Sequence, residues 1–133
     1  MTAKLLLDTH ILIWWMEQPA RLSKDQLRAL RNAARTDEPL GVSAITLVEL
    51  SQLSVRATLA VIDIDSIFEK LESSPTIEII PLSIATAREA ASLAPTLRDP
   101  SDCVIVATAR VHGLRLLTSD QRIIDSKLVP IVE

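Results

Sequence analysis

Short runs of Leu, Ile and Val keep returning along this chain, and stretches with the 3.6-residue period of a helix separate them. "KLLLD", "LGVS", "TIEIIPL", "LRLLTS" and "LVPIV" each read as a short buried strand. Strands this apolar, joined through helices, imply a mainly parallel sheet covered on both faces. The fold class is therefore α/β, with a central sheet between two helical layers.

The helical stretches carry recognisable ends. "THILIWWM" follows the first strand, and "LSKDQLRALRNAART" opens on a capping box with Ser23 as N-cap and Gln26 at N3. "AITLVELSQL" follows "LGVS", and "DSIFEKLE" supplies helical periodicity in the weakly patterned middle, Arg56 to Ser74. Ser83 opens "SIATAREAASLA". "PSDCVIVATARVHG" is almost wholly apolar and stops at Gly113, so it should lie buried against the sheet. With 133 residues and no repeat or linker, residues 1–133 read as one domain.

Composition removes several functions. A net charge of −3 argues against broad coating of nucleic acid while leaving room for a small contact area. The single Cys103 cannot form an internal disulfide, and no signal peptide precedes the first strand, so a reducing cytoplasm is expected. "ILIWWM" is too short to span a bilayer, so no membrane partner is expected.

The acids are distributed unevenly. Ligands of open parallel sheets bind beyond the carboxyl ends of the strands. Asp8 ends the first strand and Asp120 follows "LRLLTS". Glu49 lies in the helix after "LGVS", and Asp99 and Asp102 open the apolar helix. Each alone has a plain explanation as a helix cap or first-turn charge, with Arg98 and Arg122 as neutralising neighbours. Other helices open with Ser23 and Ser83, so carboxylates are not expected as the default cap here. Together the acids suggest more, because two carboxylates ~4 Å apart repel by roughly 4 kcal/mol at an effective dielectric of 20. A cluster of three or four favours protons or cations, and an all-oxygen set suits Mg²⁺ or Mn²⁺.

"LLLDTHILIWW", "VSAITLVEL" and "RDPSDCVIVATARVHGLRLLTSD" together resemble the PIN-domain nucleases, in particular the VapC-like toxins of type II toxin–antitoxin systems. The resemblance covers nearly the whole chain. It implies a three-layer α/β/α PIN-like fold and metal-dependent endonucleolytic cleavage of RNA. It places the family's four acids on Asp8, Glu49, Asp102 and Asp120, as catalytic groups and metal ligands. Thr118 and Ser119 fall on supporting hydroxyl positions, and Asp99 is an accessory candidate. It also implies a cognate antitoxin and a homodimer. Where many relatives carry Arg after the third acid, this chain has Cys103, so any role of that Arg does not carry over.

Other features are weaker. His10 and His112 read as structural, and Cys103 lacks a base to make it a nucleophile. Lys24, Arg28, Arg31 and Arg35 share one helix face, beside an apolar face of Leu27, Leu30 and Ala34. They are either a solvated face or a contact for RNA or an acidic antitoxin segment. Trp14 and Trp15 cannot both be buried by one helix face, which leaves one for an interface. A phosphoacceptor receiver would need a lysine after a late strand, and Lys127 is badly placed. A haloacid-dehalogenase-type phosphatase needs a second acid where His10 stands. The alternative that survives is a catalytically silent PIN-fold binding module.

Overall fold

A computed structural model describes residues 3–56 and 62–133. Five strands form one sheet: β1 (Leu5–Leu7), β2 (Leu40–Ser43), β3 (Ile77–Ile80), β4 (Arg115–Leu117) and β5 (Ile131–Val132). Their order is β3-β2-β1-β4-β5, and all four pairings are parallel. The chain steps outward from β1 through β2 to β3, then returns to the other side of β1 for β4 and β5. That reversal makes the β1–β4 boundary a switch point, with a crevice beyond its carboxyl end.

Seven helices cover the sheet among the described residues: α1 (Thr9–Glu17), α2 (Lys24–Arg35), α3 (Ala44–Arg56), α4 (Ile64–Ser73), α5 (Ile84–Leu93), α6 (Pro100–His112) and α7 (Gln121–Ser126). A 3₁₀ turn over Pro19–Arg21, unforeseen from the sequence, joins α1 to α2. Strand alternation explains the two layers. Leu5 and Leu7 enter a core with Ile11 and Leu12 of α1, Leu30 of α2, Leu50 of α3 and Ile67 of α4. Leu6 and Leu116 face the opposite core, with Leu93 of α5, Ile105 and Val106 of α6 and Ile123 of α7. Each fully buried leucine stabilises the fold by roughly 1.5–3 kcal/mol. The three-leucine strand is needed because both of its faces are covered.

Gly41 sets the strand spacing at the sheet centre. A Cβ there would stand 2.9 Å from the Leu5 carbonyl oxygen and 3.0 Å from Cδ1 of Ile80. At the end of α6, Gly113 takes the left-handed conformation that stops the helix, with φ 66°. No helix among the described residues is long and apolar enough to cross a membrane.

Two expectations need correction. The buried stripe of α2 is Gln26, Leu30 and Ala33, while Ala34 is exposed. The helix rotates inward because the Gln26 amide finds partners beneath it: it donates to the carbonyls of Thr118 (3.2 Å) and Val132 (3.4 Å) and to Ser119 Oγ (3.1 Å). Carboxylate caps are also common here. Asp63 caps α4, just as Asp8, Asp99 and Asp120 cap α1, α6 and α7. Capping and clustering are thus compatible, and cap choice carries no weight for a metal. In the middle segment, α4 confirms the helix over "DSIFEKLE", while residues 57–61 lie outside the described residues.

Candidate active site

The site grows from the two strand ends at the switch point. Asp8, immediately after β1, is buried at 8% exposure. Its carboxylate accepts the Thr9 N–H at 2.8 Å and the Thr118 hydroxyl at 2.7 Å. Thr118 follows β4, and its hydroxyl oxygen also accepts the Asp120 N–H at 3.1 Å. One threonine therefore ties together the acids that end the two central strands. Ser119 serves differently: its hydroxyl accepts from Gln26 and supports α2.

Glu49 reaches the same crevice from α3. The Thr9 hydroxyl donates to Glu49 at 2.5 Å and lies 3.1 Å from the Thr46 hydroxyl. Thr9 links α1 to α3, a role sequence reasoning missed. Its only signal was its place beside Asp8, and the partners lie in a helix distant along the chain.

Asp102 sits in the first turn of α6, its side chain 13% exposed. Among the described residues it accepts no hydrogen bond, and its nearest cation is the Arg122 guanidinium at 3.8 Å. Burial pushes its carboxyl up to about 7, helped by the negative charges of Asp99, Asp8 and Asp120 and opposed by Arg122. Burial also raises Asp8, against the Thr118 and Thr9 hydrogen bonds and the nearby His10. Glu49 is raised by burial too, with the Thr9 hydroxyl opposing and Asp8 and Asp99 reinforcing. Asp120 moves the other way. Arg122 grips it through side-chain and backbone hydrogen bonds, at 3.1 Å from Nη2 to Oδ2, and holds the carboxyl below its ordinary value.

Asp99 is exposed and caps α6 through the Ser101 N–H at 2.9 Å, yet its charge is felt by both Glu49 and Asp102. His10 is exposed beside Trp14, with ring centroids 6.2 Å apart, and Arg21 covers the Trp14 ring at 4.8 Å. Both tryptophans are half-buried. Cys103 is buried and donates to the Leu97 carbonyl, and burial raises its thiol further, so it is no nucleophile. His112 is exposed in the last turn of α6. Lys24, Arg28, Arg31 and Arg35 are exposed along α2, and none forms an ion pair with an acid of this cluster among the described residues.

The chemistry of the donors fits a hard divalent cation. They are all carboxylate or hydroxyl oxygens, and burial, reinforced by mutual repulsion, raises Asp102 and Glu49, a cost that a cation would relieve. Among the described residues, no three His, Cys, Asp or Glu side chains close into a metal cage. Magnesium does not demand one, because it keeps several waters and binds through one or two carboxylates and substrate phosphates.

The PIN domain family model matches residues 5–127, spanning every acid of this cluster. The chain belongs to the PIN-domain family. This PIN domain is 38% identical to ribonuclease VapC22 of Mycobacterium tuberculosis over 120 residues, which is 89% of the chain and 88% of that protein. It also resembles the solved structure of FitAcB from Neisseria gonorrhoeae, with a TM-score of 0.68 and 27% identity over 97% of this chain and 96% of that one. VapBC2 from Rickettsia felis, bound to a DNA fragment from its promoter, shares the fold. The TM-score there is 0.71 at 17% identity, over 96% of each chain. The five-stranded parallel sheet with helices on both faces is thus the α/β/α PIN fold.

Proposed function

We propose that this chain is a metal-dependent endoribonuclease that hydrolyses RNA phosphodiester bonds in the cytoplasm as the toxin of a type II toxin–antitoxin pair. The observation that carries this reading is the set of mutually repelling carboxylates at the β1–β4 switch point of a PIN domain, in a chain 38% identical to a ribonuclease. Asp8, Asp102 and Asp120 would hold Mg²⁺ or Mn²⁺, and Glu49 would complete the set or orient water. When bound, such a cation neutralises phosphate charge and makes water a better nucleophile.

The chain's own groups prepare the site. Thr118 and Thr9 fix Asp8 and Glu49 by hydrogen bonds, so these carboxylates need little reorganisation. Asp102, hydrogen-bonded to nothing among the described residues, keeps its oxygens free for a cation. Arg122 neutralises Asp120 and must release it for a cation to bind there, which frees the guanidinium for a substrate phosphate. Asp99 adds charge from the rim. Residues 1–133 would act as one unit, paired with a second copy and restrained by a cognate antitoxin.

The purified protein should cut bulk RNA endonucleolytically in Mn²⁺ or Mg²⁺ and leave it intact in EDTA. RNA that is bound but never cut, in either metal, would make the chain a silent binding module.

A further inference from the structure

A groove of about 940 Å³ runs between α2 and the open edge of the sheet at β5. Lys24, Arg28, Arg31, Arg35 and Arg115 line it, and Asp25 is the one carboxylate among its lining residues. That is a dense positive patch on a chain of net charge −3. It is poorly self-neutralised. Arg28 stands 3.7 Å from Asp25 with both side chains largely in solvent, and Arg35 donates to the neutral Asn32. Lys24, Arg31 and Arg115 have no ion pair among the described residues.

One end of the groove is anchored to the acidic site. Gln26, in the first turn of α2, donates to Thr118 and Ser119, and Thr118 in turn donates to Asp8. The other end is marked by Arg115 at the start of β4. From Lys24 to Arg35 the helix rises about 16 Å, the length of roughly five stacked nucleotides. We propose that this groove holds the single-stranded RNA that flanks the cleaved bond, with its phosphates paired to Arg28, Arg31, Arg35 and Arg115. This rests on the RNA-cleaving reading above.

A single row of cations tracks one backbone. No aromatic lines the groove, so the contact grips phosphates and tolerates any base. An acidic peptide fits less well. It would add to β5 as a strand, but β5 has two residues and follows Pro130, which has no N–H to offer.

The test measures binding of a fluorescent oligouridylate of about 20 nucleotides in EDTA, where nothing is cut. Each phosphate contact on a single strand contributes about 0.7 to the log–log salt slope. Arg31→Gln/Arg35→Gln should therefore lower the slope by about 1.4, and weaken binding roughly 60-fold at ~50 mM salt and tenfold at ~200 mM. Arg88→Gln/Lys70→Gln, an equal charge change on α5 and α4, should leave binding within about twofold. Unchanged affinity in the groove variant, or equal losses in both variants, overturns the proposal. So does a groove-dependent grip on a polyglutamate peptide of equal length with none on oligouridylate. Cleavage of a short RNA in Mn²⁺ by the unaltered protein reports separately on the nuclease reading.

Discussion

Asp102→Asn should stabilise the metal-free protein, and only at neutral to alkaline pH. The carboxyl sits at about 7 in the fold against 3.8 ordinarily. Between about pH 4 and pH 7 the folded state keeps a proton that the unfolded chain has lost. Stability therefore falls as pH rises through that window, and the full penalty applies above it. A rise of about three pH units corresponds to roughly 4 kcal/mol as a ceiling. Water and counterions in an open cleft reduce this to about 1–2 kcal/mol. The amide replaces the carboxylate without breaking a hydrogen bond among the described residues, so little offsets the gain. Thermal melts in EDTA at about pH 8 should place the variant roughly 3–6 °C above wild type, and near it at about pH 5. Mn²⁺ at about 100 times its dissociation constant should raise wild type by roughly 2.7 kcal/mol and the variant much less, reversing the order. If Asp102 serves only as a first-turn charge, the variant loses up to ~1 kcal/mol at every pH above the carboxylate range. A lower melt for the variant in EDTA, with no metal shift in either protein, would refute the electrostatic reasoning.

Other perturbations test neighbouring parts of the structure. Gly41→Ala drives a methyl against the Leu5 carbonyl oxygen at 2.9 Å, and should cost about 2–3 kcal/mol in urea melts. Gln26→Leu removes the donor shared by Thr118, Val132 and Ser119 and should cost roughly 2–3 kcal/mol, whereas an exposed control such as Gln121→Leu should be nearly neutral. Thr9→Val keeps the side-chain shape but removes the hydroxyl that favours the ionised form of Glu49. The acidic limb of the pH–rate profile should move to higher pH, with stability changed by about 1–2 kcal/mol in thermal melts.

Much of the architecture could be read from local pattern. Leu5, Leu6 and Leu7 reveal a strand covered on both faces because alternation sends neighbouring side chains to opposite cores. The Ser23–Gln26 capping box and the Gly113 stop depend only on residues a few positions apart, and both stand as expected. What escaped depends on contacts distant along the chain. The Gln26 amide shows its cap in sequence, but its partners at Thr118 and Val132 appear only once α2 lies across the strand ends. Thr9 looks like an ordinary first helical residue until α3 brings Thr46 and Glu49 to it. Ala34 and Ala33 are equally apolar, and only the rotation that seats Gln26 decides which one is buried. The acids themselves were legible by position, since strand ends and helix starts gather at one side of any parallel sheet. Their coupling was not, because it depends on burial and on where Arg122 reaches.

The central claim is that these carboxylates gather a divalent cation to cut RNA. The most direct measurement is the single-turnover cleavage rate of a defined RNA against Mn²⁺ concentration, for wild type and for Asp8→Asn, with folding checked by circular dichroism. Wild type should show no cleavage in EDTA and a saturable rise with Mn²⁺, while the folded variant stays at least about a hundredfold slower at every concentration. Metal-independent cleavage by wild type, or a folded Asp8→Asn variant that cuts at the wild-type rate, would contradict the account.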